Sequence, residues 1–386
     1  MRITHLRLAN WRNFKNVNVP IAQRLFVLGP NASGKSNLLD AIRFLRDLTL
    51  VPGGLQYAVL IRGGLSRLRY LNARSSNKGQ ITIAVSLGDD DDPKIWEYEL
   101  SFTRSPGNDR RPVVADEVIR HNGRKVYSWK DVKGNDAERA TQTGLEQVSV
   151  NRKFRPVAEF LGAIDYLNLV PQIVRDPSRG GSAAHDPFGG TFLIEIGKCP
   201  KKDFERRRKI LTAALQLAVP QFESLDRNQD PDGTWHLQAR YKSFRPNTSP
   251  QDERDFSDGT LRLIGLLWHL LDRSGVRAPV LLEEPELSLH AAIVRLLPGV
   301  IAQAIDASGR QVIASSHGTA ILDDVGLQPS EVLLLDPGIE GTLAKLASSD
   351  SIVVKLLSSG NFTLAEALQA DLVLPEIEKL MSLKML

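Results

Sequence analysis

The sequence predicts an α/β fold in which a largely parallel sheet carries an antiparallel β subdomain and an inserted helical subdomain. Three observations predict it. An apolar run, Leu25-Phe26-Val27-Leu28, leads through Gly29-Pro30-Asn31-Ala32-Ser33-Gly34-Lys35-Ser36 into a helical pattern with Leu38, Ala41, Ile42, Leu45 and Leu48 on one face. Between residues 80 and 130 apolar residues alternate with smaller or polar ones. From residue 255 onward, helical patterns alternate with the short apolar runs 280–282, 312–314 and 332–335.

The first stretch reads G-x-x-x-x-G-K-S, a phosphate-binding loop in its strand–loop–helix setting. Backbone N–H groups of Gly29 and of Asn31 through Asn37, including those of Asn31, Ala32 and Ser33, would face phosphates at the N-terminus of the helix, with Pro30 contributing to the loop but no N–H. Lys35 reaches the β- and γ-phosphates of ATP, and Ser36 supplies a hydroxyl to Mg²⁺.

The remaining elements follow in order. Residues 1–20 read as two short strands around Asn10-Trp11-Arg12-Asn13-Phe14. Arg62, Arg67, Arg69 and Arg74 read as a solvated basic face, with a polyanion or partner contact as the alternative. Ile81, Ile83, Val85 and Leu87 form one alternating strand, and Trp96, Tyr98, Leu100 and Phe102 a second. Asp89–Asp92 and Pro93 between them read as a hairpin loop rather than a metal site. Asn122-Gly123 marks another hairpin, between 113–119 and 125–129. A helix is expected around Val157–Ile164. Residues 171–190, rich in Gly, Pro and Ser, read as a long surface loop. The helix with Phe204, Leu211, Leu215 and Ala218 carries Arg206-Arg207-Arg208-Lys209 on its wet face, and residues 235–241 alternate as a strand. A helix is expected over 261–271, another over 289–306 and a helical tail over 351–386.

Composition sets bounds. The chain has 386 residues, 42% hydrophobic and 24% charged, which suits a globular protein with a sizeable core. A formal net charge of +4 leaves nucleic acid open as a partner without establishing it. The single cysteine, Cys199, permits no intrachain disulfide and points to a reducing cytoplasm. No apolar run approaches the roughly 18 residues that a membrane span needs, so no membrane partner is expected.

Further chemistry lies downstream. Glu283-Glu284 follows the apolar strand ending at Leu282. An acid at such a strand end supports Mg²⁺ near phosphates, and a second orients or deprotonates attacking water. Glu283 is therefore assigned to the metal and Glu284 to water activation. His317 follows the strand 312–314 through Ser315-Ser316, where it would hydrogen-bond a γ-phosphate. His290, close after Glu284, is a further neighbour of the site. Ser257-Asp258-Gly259 precedes a helix and offers a second phosphate-binding surface.

The order G-P-N-A-S-G-K-S, F-S-D-G-T-L-R, L-L-E-E-P-E-L-S-L-H and S-S-H-G resembles an ABC-type ATPase head with its P-loop mixed sheet, and more narrowly the AAA-family ATPases of the RecF, SMC and OLD group. The resemblance implies a single head spanning 1–386. Its nucleotide core would be 1–75 with 255–350, its antiparallel subdomain 80–130, its helical insert 150–250 and its tail 351–386. It implies that Asn10, Arg12 and Asn13 lie near the nucleotide. It also implies that Ser257, Asp258 and Gly259 are the signature meeting a partner protomer's ATP, that Leu287–His290 is the D-loop and that His317 is the switch histidine. The signature departs from the transporter form L-S-G-G-Q, with Asp258 and Thr260 in place of its first Gly and its Gln. Gln56 and Gln172 are the candidates for the Q-loop glutamine.

Three classes follow from this resemblance. A transporter motor is disfavoured by the signature and the inserts. A RecF- or SMC-like DNA repair or recombination ATPase stays open. The length and the phrase from Phe256 to Trp268 resemble the RloA, AbiL and PARIS-type defence ATPases, which implies a homodimer or higher oligomer and a separately encoded effector, a TOPRIM-like nuclease or a toxin. With no Asp-x-Asp cluster after His317, a nuclease on the same chain is not expected.

Overall fold

The computed structural model describes all residues except 71–78, 107–109, 132–136, 180–185, 243–248, 274–276 and 373–386, with backbone alone at 370–372. In chain order the elements are β1 (Arg2–Trp11), β2 (Phe14–Pro20), β3 (Arg24–Leu28), α1 (Lys35–Asp47), α2 (Gly54–Leu60), α3 (Leu65–Leu68), β4 (Ile81–Gly88), β5 (Trp96–Arg104), β6 (Pro112–His121), β7 (Arg124–Ser128), α4 (Arg155–Gly162) and β8 (Asp165–Leu167). They continue as α5 (Pro171–Arg175), α6 (Phe192–Lys198), α7 (Lys201–Ala218), β9 (Phe222–Gln229), β10 (Trp235–Tyr241), β11 (Gln251–Asp252), α8 (Asp258–Leu270), β12 (Val280–Glu283), α9 (Ala291–Val294) and α10 (Leu297–Ser308). The chain then forms β13 (Val312–Ser316), β14 (Val332–Gly338), β15 (Gly341–Leu346), α11 (Ser351–Ser358) and α12 (Leu364–Leu372). Two compact units result. The first comprises Met1–Asp165, Val276–Leu281 and Arg310–Leu386, and the second Tyr166–Gly275 and Leu282–Gly309.

A six-stranded antiparallel sheet, ordered β2-β1-β4-β5-β6-β7, belongs to the first unit. Its register aligns Leu8 with Ile83, Ile83 with Leu100, and Leu100 with Glu117, so one buried column crosses four strands and ends on a carboxylate. The β6–β7 turn uses Asn122 and Gly123 at φ 48° and 74°, the left-handed pair that a two-residue hairpin requires. A second six-stranded sheet, ordered β15-β14-β3-β13-β12-β8, is mixed: β3 pairs in parallel with β13 and β14, and β14 pairs antiparallel with β15. Helix α1 touches both layers. It packs on β13, while Phe44 stacks on Phe102 at 5.2 Å and meets Trp11 edge-on at 5.4 Å. Burying such a ring contributes about 2–3 kcal/mol and fixes the helix that follows the phosphate loop.

The second unit holds the three-stranded antiparallel sheet β11-β10-β9 with α5 to α10. In it Trp235 lies so close to Gly197 of α6 that an added Cβ would meet the ring at 2.2 Å.

Several sequence expectations are corrected. Arg62 is not a solvated cation: its guanidinium is buried and binds Asp40, Asp47 and the Ala58 carbonyl. Burial works against its charge, but the two carboxylates outweigh that and raise its pKa. Arg74 lies outside the described residues. Arg207 is buried rather than on a wet face, stacked over Trp268 and paired with Asp272. The stretch 171–190 contains α5 as well as loop. The helix expected over 289–306 is broken into α9 and α10, with Pro298 in the first turn of α10, where its missing N–H costs no intrahelical bond. Strands β9 and β15 were not anticipated.

Candidate nucleotide site

In the first unit the phosphate loop joins β3 to α1. Gly29 (φ 158°), Ala32 (φ 62°) and Gly34 (φ 101°) shape its backbone. A Cβ at Gly29 would meet the Leu335 carbonyl at 2.6 Å and Ser33 Oγ at 2.7 Å, so only glycine fits there. Ser33 Oγ is buried and has no hydrogen-bond partner among the described residues, a donor left over inside a loop of backbone amides. Lys35 Nζ folds back to donate to the carbonyls of Gly29 (2.7 Å) and Pro30 (3.0 Å) and to His317 Nδ1 (3.0 Å). A buried ammonium parked on the loop's own carbonyls beside an unpaired hydroxyl is a donor set that fits a phosphate chain. Ser36 is exposed in the first turn of α1, and Asn31 and Ala32 are exposed at the loop tip.

Asn13 braces this loop. Its Nδ2 donates to the Ser33 carbonyl (2.8 Å) and to Thr342 Oγ1 (2.7 Å), and its Oδ1 accepts from Asn37 Nδ2 (2.7 Å). The space a Cβ on Gly34 would take is filled by Asn13, 2.1 Å away. Arg12, at φ 48°, donates to Asp40 Oδ2 of α1 at 2.7 Å. Asn10 spends its amide on the Gln80 carbonyl at 2.8 Å. Of the three, Asn13 alone hydrogen-bonds the loop. Gln56 serves the carbonyls of Pro112 and Thr141, a structural use.

In the second unit Glu283 ends β12 and accepts a short hydrogen bond from Tyr166 Oη. Glu284 sits at φ 45°, a conformation that costs a non-glycine residue energy and recurs at functional sites. The turns after it return Leu287 N–H to the Glu284 carbonyl and Leu289 N–H to the Glu286 carbonyl. His290 caps α9, its Nδ1 accepting from Ala292 N, a structural role. Ser257 caps α8, its Oγ accepting from Thr260 N at 3.2 Å. Gly259 packs against this D-loop segment, where a Cβ would meet the Ser288 carbonyl at 2.5 Å. Arg262, one turn into α8, has its pKa lowered by burial, while the carboxylates of Asp258, Glu284 and Glu286 favour its charge. Sequence reasoning missed Thr342, Tyr166, Arg175 and Arg262; only Arg262, inside the signature phrase, carried a local signal.

The expected Mg²⁺ residues are an exposed hydroxyl in the first unit, Ser36, and a strand-end carboxylate in the second, Glu283, each an oxygen donor of the kind Mg²⁺ takes.

A parallel strand feeding a phosphate loop in the first unit, and an acid-ended strand and a serine-capped helix in the second, are the parts of an ABC-type ATPase head of the RecF/SMC-like group, the class to which the family match assigns the chain. The chain belongs to the family described as "AAA domain, putative AbiEii toxin, Type IV TA system", whose model matches residues 25–323. No curated protein matches it. Among solved structures it is similar to an SmcHead bound to the C-winged helix domain of ScpA (16% identity, TM-score 0.53, covering 89% of this chain and 97% of that one). It is also similar to Smc head domains derived from Pyrococcus yayanosii (11%, TM-score 0.51, 96% and 98%) and Pyrococcus furiosus (12%, TM-score 0.50, 94% and 100%). At these identities the likeness establishes the fold. No helix among the described residues is long and apolar enough to cross a membrane.

Proposed function

We propose that this chain is a cytoplasmic, Mg²⁺-dependent ATP hydrolase that pairs head to head when ATP is bound and so switches a separately encoded effector of an anti-phage defence system. The observation that carries the ATPase reading is Lys35, held on the loop carbonyls beside the unpaired Ser33 hydroxyl. The domain plan is the one the resemblance implies, with residues 1–75 and 255–350 as the nucleotide core. Lys35 would leave the carbonyls to neutralise phosphate oxygens, and backbone N–H groups of 29 and 31–37 would bind them. Ser36 and Glu283 would hold Mg²⁺, which offsets phosphate charge. Glu284 would accept a proton from the water whose oxygen bonds to the γ-phosphorus as the bridging oxygen departs with ADP. Ser257 and the α8 N-terminus would receive the partner protomer's γ-phosphate, closing two equivalent sites by two-fold symmetry. ADP lacks that group, so pairing would report ATP.

The family's toxin–antitoxin description favours the defence role. The motif resemblance to the RecF and SMC group keeps a DNA repair or recombination ATPase as the second reading, with nucleic acid as partner.

The test combines nucleotide binding, turnover and light scattering. Lys35→Ala is expected to lose ATP binding while staying folded. Glu284→Gln is expected to bind ATP, turn over slowly and accumulate a dimer. Ser257→Arg is expected to bind ATP yet neither pair nor hydrolyse. Full turnover by folded Lys35→Ala would sink the ATPase assignment, and full activity of Ser257→Arg would sink the pairing.

A further inference from the structure

Asp258 is an electrostatic puzzle. It is the first residue of α8, beside Ser257, on the surface that the proposed function gives to a partner's γ-phosphate. A carboxylate suits a helix N-terminus in isolation, but it repels an incoming polyanion. The second unit contains an answer. Arg175, the last residue of α5, donates through Nη2 to Asp258 Oδ1 at 2.7 Å and to the Phe256 carbonyl at 2.6 Å. Gln172, one turn earlier on α5, donates to Asp258 Oδ2 at 3.2 Å. Both carboxylate oxygens are thereby engaged from one side, and the charge is matched by a guanidinium.

We infer that Arg175, with Gln172, is a positioning residue for the signature: it neutralises Asp258 and fixes the Phe256–Asp258 turn, so that Ser257 and the α8 N-terminus can accept the γ-phosphate of a second copy of this chain. The inference rests on the head-to-head reading. It also gives the departure of the signature from L-S-G-G-Q a physical counterpart, because in this chain a cation on α5 faces the aspartate. On the opposite side Gly259 lies against the Ser288 carbonyl, leaving the turn little freedom to relocate. The Arg175 and Asp258 side chains are 23% and 40% exposed, so solvent and salt reach the pair, and its contribution is that of a half-screened contact rather than a buried one.

The experiment places each change in the Glu284→Gln chain with ATP and Mg²⁺ and reads the protein concentration at half-maximal dimer by light scattering. Arg175→Ala is expected to raise that concentration about tenfold, because an unpaired carboxylate then faces the phosphate. Two further readouts separate charge from mere structure. Arg175→Ala with Asp258→Asn is expected to recover pairing to within about threefold of the parent. The Arg175→Ala defect is also expected to shrink as salt rises from roughly 0.05 to 0.5 M, since like-charge repulsion is screened over a Debye length. Should Arg175→Ala fail to fold by circular dichroism, Arg175→Gln keeps an amide donor for the Phe256 carbonyl and removes only the charge, with the same rescue expected. Unchanged pairing by the folded Arg175 variants overturns the inference, as does a defect that Asp258→Asn leaves in place. If the Glu284→Gln parent itself fails to pair with ATP, the head-to-head reading falls and this inference with it. If the parent pairs and the Arg175 variants pair equally well, this inference alone falls.

Discussion

Asn13→Ala tests how far the phosphate loop depends on a residue outside it. The side chain makes three hydrogen bonds, to the Ser33 carbonyl, Thr342 Oγ1 and Asn37 Nδ2, at 2.7–2.8 Å. Each contributes about 1 kcal/mol net, so deletion removes at most about 3 kcal/mol. Asn13 is only half-buried, and water would replace part of that. The expected remainder, about 1–2 kcal/mol, corresponds to roughly tenfold weaker ATP binding by titration calorimetry. Thr342→Val removes one of the three bonds and should weaken binding about threefold. Asn13→Asp sets a carboxylate against the Ser33 carbonyl and adds negative charge beside the phosphates, so it should be worse than alanine. Because the loop amides reorganise without their brace, the loss should appear in ATP affinity with the global melting temperature little changed. Wild-type affinity in Asn13→Ala, under conditions where Lys35→Ala binds nothing, would refute the bracing argument.

Two further outcomes follow from buried carboxylates and from Tyr166. Burial raises the Glu117 and Glu146 carboxyls to about 7, against the opposing pull of amide donors from Gly144 and Leu145 on Glu117 and from Leu55 and Thr143 on Glu146, and of Tyr98 Oη on Glu117. Between pH 4.5 and 7 the folded chain therefore holds protons that the unfolded chain has released. Their stabilisation is full below about 4.5 and lost as pH rises through 7, by up to about 3 kcal/mol for each group. Glu117→Gln should flatten the fall in melting temperature between pH 5 and 8, and an unchanged slope would count against the raised carboxyl. Tyr166→Phe frees Glu283 from its hydroxyl donor, and the Mg²⁺ concentration for half-maximal turnover should rise severalfold with ATP affinity held; no change would remove Tyr166 from the metal site.

The parts of this molecule that could be read from sequence are those whose conformation is specified locally. The phosphate loop is one, because Gly29 and Gly34 supply backbone angles and spaces that side chains cannot share. The antiparallel meander is another, because period-two alternation and Asn122-Gly123 determine face and turn together. What escaped reading depends on distant partners. A charged residue such as Arg62 or Arg207 looks solvated until its acids arrive, from Asp40 and Asp47 in one case and Asp272 in the other. Thr342 braces a loop more than 300 positions upstream, and nothing in the hairpin β14–β15 announces it. Helix α5 is hidden in a Gly- and Pro-rich stretch and is only five residues long, too short for periodicity. Asp258 was visible as a departure from a signature, but its meaning required Arg175.

The contact between Lys35 and His317 has a chemical consequence for the loop. Lys35 is an ammonium and can only donate, so His317 Nδ1 accepts and the ring proton resides on Nε2. The imidazole is thus held in the tautomer that offers Nε2–H to an acceptor. Were Lys35 to move from the Gly29 and Pro30 carbonyls to a phosphate, Nδ1 would lose that donor as the same phosphate brought acceptor oxygens. One side chain's displacement would therefore change both the charge on the loop and the hydrogen-bonding state of the residue after β13. Because β13 pairs directly with β3, which carries the loop, the change needs no movement of the sheet to be felt at both strand ends. Under the proposed function, His317 would register whether Lys35 is engaged by phosphate within one protomer, before any partner arrives, and His317→Ala is expected to slow turnover while leaving ATP affinity, read by titration calorimetry, close to wild type.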